Sequence, residues 1–326
     1  LKGKDGYFRR RPGNSRLDQW TMEVTALANI DELPLSWTRT HLTRPRWQAI
    51  KLPLSGLTWL AYATLPATFT LTHLQREYFA NSGLLLRGCP SSVASTLAAA
   101  GWETIRVGIE GIIDLTSDSL SRRSIRKMTR AALRFGSVIE VPWNPAAVAR
   151  LRWLAREARY GARPQLRYLF RTVFEPETRL FVFVDRADEW QGALLLTQPT
   201  PTTAVTELML RRVTAPSGIM EALFTTAGQH LYAEGCRTFS LNEVPFYHLE
   251  QDLRPLERLV TLVGRQMTAV YNAHGLYRFK AKFADFWRPV YLCARPRLSI
   301  RALVDLFTVS GCLELAASGL YHRRAA

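Results

Sequence analysis

VTELMLRRVTAPSGIMEALF (205–224) decides the fold class of this chain. Apolar and polar residues alternate over 203–213, the period of a strand, which puts Glu207, Met209 and Arg211 on one face and Leu208, Leu210 and Arg212 on the other. Ala215-Pro216-Ser217-Gly218 ends that run, and from 217 to 235 the apolar spacing turns helical. The free N–H groups at such a helix start can hold an anion or a developing oxyanion. Taken alone, the stretch is more simply an ordinary helix N-terminus.

The same alternation of elements extends in both directions. Upstream, 92–100 reads as a short helix closed by Gly101, 104–107 and 111–115 as strands, and 120–135 as a helix with Asp118 or Ser119 as N-cap and Gly136 past its end. The pattern restarts after Pro142: helix 146–158, strands 179–185 and 193–197, then the quoted unit, strand 238–241, helix 254–267 and strand 290–294. Both halves read as α/β with a boundary near 140. The strand–loop–helix resembles the central strand and phosphate-gripping loop of GNAT acyltransferases, although only Gly218 of their glycine-rich loop is present.

A chain of 326 residues is long enough for two domains, and 47% hydrophobic residues supply their cores. With 43 lysines and arginines against 27 acids, the net charge of +16 predicts attraction to polyanions, either nucleic acid or an anionic membrane surface. Cys89, Cys236, Cys293 and Cys312 are far apart and form no CxxC or Cys/His cluster, so no metal, no cofactor and no disulfide framework is expected. The stretch 52–75 lacks Asp, Glu, Lys and Arg, but Pro53, Gly56, Pro66 and several threonines favour two buried strands over a membrane span. A start at Leu1 fits a piece of a longer protein, and the basic lead 1–20 has no apolar run of a secretory signal.

Two constellations point to chemistry. Arg122, Arg123, Arg126, Lys127, Arg130 and Arg134 crowd one helix with no acid among them. Such like charges repel at i,i+4 unless a polyanion meets them. Further on, YNAHGLYRFKAKFADFWRPVYL (271–292) interleaves Tyr271, Tyr277, Phe279, Phe283 and Trp287 with Arg278, Lys280, Lys282 and Arg288. That composition suits a cationic site that also packs a planar or apolar ligand.

This last run resembles the closing signature of the phosphatidylglycerol lysyltransferase C-terminal family, close to YNFxGLRxFKxKFxPxWxPRYL. The likeness continues backwards: TELMLRRVTAPSGIMEALF is similar to DLMR–APxGIMDFLF, LNEVPF to LGMAPL, and VGIEGIIDLTSDSLSRRSIRKMTRAALRFG to IGEEAxVDLxxFSLxGxxRRxLR. It runs from about Tyr78 to Leu313. The resemblance implies an α/β (α+β) chain of two tandem GNAT-like acyltransferase domains, 21–140 and a catalytic 141–326. It implies transfer of an aminoacyl group from aminoacyl-tRNA to a lipid hydroxyl, usually that of phosphatidylglycerol. The expected partners are aminoacyl-tRNA, an anionic phospholipid membrane and a membrane-embedded N-terminal region, with the chain peripheral at the cytoplasmic face. The wider context implied is resistance to antimicrobial peptides.

Carried over residue by residue, Glu207 replaces the family's aspartate and Leu210 its arginine, with Arg211 adjacent. Asn242 and Glu243 replace a glycine and a methionine, and Val290 replaces an arginine. Lysine preference is therefore in doubt. Glu207 and Glu243 are expected to bind an ammonium or act as base, Lys280 and Lys282 to meet phosphate or oxyanion, and Asn272 to hydrogen-bond. Arg211, Tyr271, Arg278, Trp287 and Arg288 are expected to bind substrate. His248 and His274 read as structural imidazoles. The alternatives are a GNAT-like N-acyltransferase using acyl-CoA and a non-catalytic basic module for RNA or membrane.

Overall fold

The structure is a computed structural model that describes residues 32–67, 83–158, 161, 164, 166–247, 252–266 and 272–324, with side chains to 265 and 318 in the last two segments. The basic lead, Tyr271, His248 and the second part of the 52–75 stretch lie outside the described residues. In chain order the elements begin with β1 (Thr38–Thr40), β2 (Arg46–Lys51), β3 (Thr58–Pro66), β4 (Leu84–Cys89), α1 (Ser91–Ala99) and β5 (Glu103–Asp114). Next come α2 (Arg123–Ala132), β6 (Gly136–Val141), α3 (Pro145–Glu157), β7 (Arg179–Asp185), β8 (Trp190–Thr200) and β9 (Thr203–Arg211). The remainder is α4 (Ile219–Ala233), β10 (Thr238–Pro245), α5 (Pro255–Gln266), α6 (Ala273–Lys280), β11 (Phe286–Arg295), α7 (Ile300–Val309) and α8 (Cys312–Arg324).

All the strands join one 11-stranded sheet in the order β1-β3-β4-β11-β5-β10-β9-β8-β7-β6, with β2 on the far side of β3. The fold is thus mixed α/β, as expected, but a single continuous sheet replaces the two separate sheets that tandem domains suggested. Its middle is made by β11, which comes from near the C-terminus and pairs antiparallel with both β4 and β5. The sheet curls far enough for β1 to meet β8, where the Thr38 hydroxyl donates to Gln198 O at 3.1 Å.

Two parallel pairs open partway along their strands. β3 and β4 pair from Thr58↔Leu84 to Leu60↔Leu86, and β9 and β10 from Thr203↔Thr238 to Val205↔Ser240. Beyond three residues each pair stops pairing. In the second pair the opening is held by Asn242, at φ 64°, whose Nδ2 donates to Thr206 O at 2.6 Å while its Oδ1 accepts from Glu243 N at 2.6 Å. An amide side chain that satisfies backbone groups on both strands supplies the bonds that direct pairing would have made.

Three local expectations need correction. Strands 104–107 and 111–115 are one continuous β5, because Gly108 and Gly111 mark close approaches, not breaks. A Cβ on Gly108 would meet Val244 O at 2.6 Å, and one on Gly111 would meet the Trp287 ring at 3.0 Å. The helix expected at 120–135 is shorter, since a 3-10 turn (Ser119–Ser121) precedes α2. Ser119 does not cap it: its hydroxyl bonds Asp285, which also accepts from Asp114 N at 2.9 Å and Ser117 Oγ at 2.9 Å. Gly136 opens β6 and does not end a helix. The described part of 52–75 contains β3, buried between neighbours, and among the described residues no helix is long and apolar enough to cross a membrane.

The α4 face of the sheet packs Phe181, Phe183, Leu194, Phe239 and Phe283 against Phe224 and its helix neighbours. Gly218, at φ 93°, starts α4 directly beneath α2, where a Cβ would lie 2.2 Å from Met128 O. From the strand opening, Asn242→Ala should destabilise the protein more than Asn242→Gly, by about 1 kcal/mol, since both lose the same bonds and only alanine is strained at positive φ. Urea unfolding of the two variants measures this difference.

Candidate functional site

The opening between β9 and β10 gathers ionisable groups that an apolar core would otherwise exclude. Lys280, on the last turn of α6, is buried and donates from Nζ to Asn242 O at 3.0 Å and Glu243 O at 2.8 Å. Burial pushes its pKa down to about 7, although Glu243 and Glu110 pull it back up. Two N–H groups are thus occupied whether the amine is charged or neutral. The third position, an N–H or a lone pair, is left for a proton in transit.

Glu243 is also buried. Its Oε2 forms an ion pair with Arg87 Nη2 at 2.6 Å, and neither of its oxygens has a hydrogen bond of good geometry among the described residues. Burial raises its pKa, with Arg87 and Lys280 opposing. Behind it, Glu110 of β5 accepts from Ser240 Oγ and from Arg288 Nε at 2.5 Å, and Arg288 reaches on to Glu32 at 2.6 Å. Arg87, Glu243, Lys280, Glu110 and Arg288 therefore form one alternating chain of charge, with Glu243, Lys280 and Glu110 buried and the two guanidiniums partly exposed.

A cavity of about 70 Å³ adjoins this chain. Arg87 and Glu243 line one part, and the rest is mostly apolar, including Val260, Leu303, Leu306 and Phe307.

The other expected residues fall elsewhere. Glu207 is buried and its carboxylate is fully engaged: Ser36 Oγ at 2.7 Å and Arg171 N at 2.9 Å on Oε2, Thr197 Oγ1 at 2.7 Å on Oε1. Burial raises its pKa against those three donors. Arg211 sits four residues further along β9, roughly 13 Å away at ~3.3 Å per residue. Lys282 leaves the Lys280 group and pairs with Glu221 of α4 at 3.0 Å. Asn272 caps α6 by accepting from Gly275 N at 2.7 Å. Trp287 packs at a tilt against Tyr277, centroids 4.8 Å apart, and Tyr277 stacks on Tyr247 at 4.3 Å, while Arg278 and His274 are exposed.

On α2, Arg122 is tied to Lys282 O at 2.9 Å and to Asp285 at 3.2 Å. Arg123, Arg126, Lys127, Arg130 and Arg134 are exposed and make no ion pair among the described residues. The loop that would grip a coenzyme A pyrophosphate under the acyl-CoA alternative has α2 packed against it at Gly218. Among the described residues no group of His, Cys, Asp and Glu is placed to hold a metal ion.

Sequence reasoning missed Arg87, Glu110 and Arg171. Arg87 and Glu110 sit in apolar settings, LLLRGC and VGIEGII, and a charge flanked by strand residues bound for the core needs a buried partner. That signal was available for Arg87 and Glu110. Arg171 gave none, since its partners come from distant segments.

The fold and site define a mixed α/β protein with buried ionisable groups gathered where one of its parallel strand pairs opens. The chain belongs to the family described as phosphatidylglycerol lysyltransferase, C-terminal, whose profile matches residues 71–294. It is 31% identical over 104 residues to the phosphatidylglycerol lysyltransferase of Bacillus subtilis strain 168, a match that covers 31% of this chain and 12% of that relative. L-PGS of Bacillus licheniformis has a similar fold, with a TM-score of 0.63 at 19% identity over 82% of this chain and 85% of that one. So does the C-terminal domain of a lysylphosphatidylglycerol synthetase candidate from Agrobacterium fabrum, with 0.62 at 18% identity over 90% and 96%.

The depressed Lys280 pKa has a consequence for stability. Between about pH 7 and the ordinary lysine value the unfolded chain binds the proton and the folded chain does not, so stability rises with pH across that window. The slope is at most about 1.4 kcal/mol per pH unit. Urea unfolding should show wild type gaining stability from pH 7 to pH 9, and Lys280→Met losing that gain. Glu207→Ala, by contrast, should cost about 3–5 kcal/mol at neutral pH by stranding three buried donors, as read in the same titration.

Proposed function

We propose that this chain transfers an aminoacyl group from aminoacyl-tRNA to a lipid hydroxyl, that of phosphatidylglycerol, at a membrane surface. The observation that carries the reading is the buried Lys280, held on the Asn242 and Glu243 backbone carbonyls within the electrostatic reach of the Glu243 carboxylate and beside an apolar cavity, in a chain of the lysyltransferase family. The ester of an aminoacyl-tRNA is already activated, so the protein has to orient a hydroxyl and manage one proton. Glu243 Oε1 accepts the α-ammonium. Lys280, near neutrality in pKa, takes the proton as the lipid oxygen attacks the ester carbonyl, and returns it to the ribose oxygen as that carbon–oxygen bond breaks. No covalent enzyme intermediate is needed.

Within this reading the two splayed pairs, β3/β4 and β9/β10, mark two tandem GNAT-like units divided near residue 140, the second of them catalytic. Arg288 and Glu110 hold the charge around Lys280. Arg278 and Trp287 flank the acceptor end of the RNA, and Lys282 and Asn272 support α6 and α4. The exposed row on α2 meets RNA phosphates. The membrane partner is an anionic bilayer, with the chain peripheral on its cytoplasmic side, next to a membrane-embedded region outside this sequence.

The direct test incubates the protein with radiolabelled aminoacyl-tRNAs and phosphatidylglycerol vesicles and counts label in the chloroform phase. Label sensitive to RNase, and reduced at least a hundredfold by Lys280→Ala, supports the reading; tight RNA or vesicle binding with no label in lipid overturns it. Separately, Arg126→Glu with Arg130→Glu should weaken tRNA binding about tenfold or more and flatten its salt dependence, measured by filter binding at several salt concentrations.

A further inference from the structure

On the outer side of α7 the surface carries a feature that the fold does not need. The helix turns Leu303, Leu306 and Phe307 inward to line the cavity described above, while Ile300 and Val304, one turn apart, face outward at 57% and 42% exposure. Leu54, 54% exposed, joins them from the turn after β2. That turn is clipped to α7 by the buried Asp305, which accepts from Leu54 N at 3.0 Å, Ser55 N at 2.8 Å and Ser55 Oγ at 2.7 Å. Asp305 and Arg301 are one turn apart on the same side of the helix, so the clipped turn lies along the edge of the exposed face. Three aliphatic side chains are thereby held in water on a rigid mount, a placement that folding alone does not favour.

Cations flank them. Lys51 precedes the turn, Arg297 precedes the start of α7 and Arg301 lies on its outer face; all three are exposed and make no ion pair among the described residues. Of the acids on the adjoining segments, Asp305 holds the turn and Glu103 accepts from Leu298 N at 2.7 Å. We propose that this face docks on an anionic bilayer, with Leu54, Ile300 and Val304 entering the headgroup layer and the three cations meeting lipid phosphates. The inference rests on the transferase reading, whose acceptor lipid lies in such a bilayer, and names the face that meets it. A second copy of the chain fits less well, because a two-fold contact would set Lys51, Arg297 and Arg301 against the same cations of the partner. Nucleic acid also fits less well, since the three aliphatic side chains offer no ring on which a base could stack.

The test is flotation of the whole chain with vesicles of phosphatidylglycerol or of phosphatidylcholine. The chain should bind phosphatidylglycerol about tenfold or more tightly than phosphatidylcholine, and Ile300→Glu with Val304→Glu should weaken that binding about tenfold or more. A control pair, Ile139→Glu with Val213→Glu, makes the same change of charge at exposed positions on β6 and beyond β9, and should cost less than about threefold. Depth is read with an environment-sensitive thiol dye on Val304→Cys or on Ile139→Cys, the four native cysteines being buried. Its emission should shift to the blue on phosphatidylglycerol vesicles for the first variant and stay unchanged for the second. Equal losses from the two glutamate pairs, an unshifted dye at position 304 on bound vesicles, or no binding to vesicles overturns the proposal. So does a wild-type dimer that Ile300→Glu with Val304→Glu converts to monomer.

The transfer assay separates docking from chemistry. Transfer to vesicle phosphatidylglycerol that Ile300→Glu with Val304→Glu leaves unchanged overturns this inference and leaves the transferase reading standing. Docking through α7 with no label in lipid supports the docking face and removes the transferase reading.

Discussion

The buried carboxylate of Glu207 holds distant parts of the sheet together. Ser36 precedes β1, Thr197 lies on β8 and Arg171 lies in the loop before β7, and all three donate to it. The Arg171 guanidinium then binds Ser36 O at 3.1 Å, Ala63 O at 2.9 Å and Thr64 Oγ1 at 2.9 Å, and pairs with Glu175 at 2.8 Å. One carboxylate and one guanidinium thereby pin β3, the β1 lead, β8 and β9 at a single point. Because every partner but Glu175 is buried, the cost of breaking the cluster is the desolvation of groups left behind, not the modest net worth of its bonds. The same loop carries Leu166 and Leu169 into the cavity wall, so the site's shape depends on this clasp.

The charge chain at the site follows the same logic with one difference. Glu207 has every lone pair it needs engaged, whereas Glu243 does not. A folding sequence gains nothing from an open buried acceptor. On the function proposed above that acceptor has a use, and Lys280, drawn toward neutrality by the same burial, would be the group that works beside it.

Much of the frame was legible in the residues. The strand–loop–helix at 205–224, the helical spacing that follows and the mixed α/β class all appear in the structure, because period and turn chemistry are local signals. Topology was less legible. Nothing in the 286–295 segment says that it inserts between β4 and β5, since strand pairing over such separations leaves no periodic mark. The interleaved aromatic and basic run singled out Lys280 and Arg288, which the structure brings into one cluster with Glu110 and Glu243. It could not distinguish Lys282, which turns to Glu221, because neighbouring residues on a helix end point to different partners. Glu207 and Glu243 look alike as carboxylates near apolar strands, and only their surroundings separate an engaged acid from an open one.

The crossing of α2 over Gly218 has a mechanical implication. Backbone meets backbone there with no side chain between, which is among the stiffest contacts a protein can make. The exposed arginines on α2 therefore stand at a set distance from α4 and, through it, from β10 and Glu243. On the function proposed above, a polyanion seated on that helix would be registered against Lys280 and Glu243 as by a ruler. Length along the nucleic acid, more than its base sequence, would then be what the protein gauges.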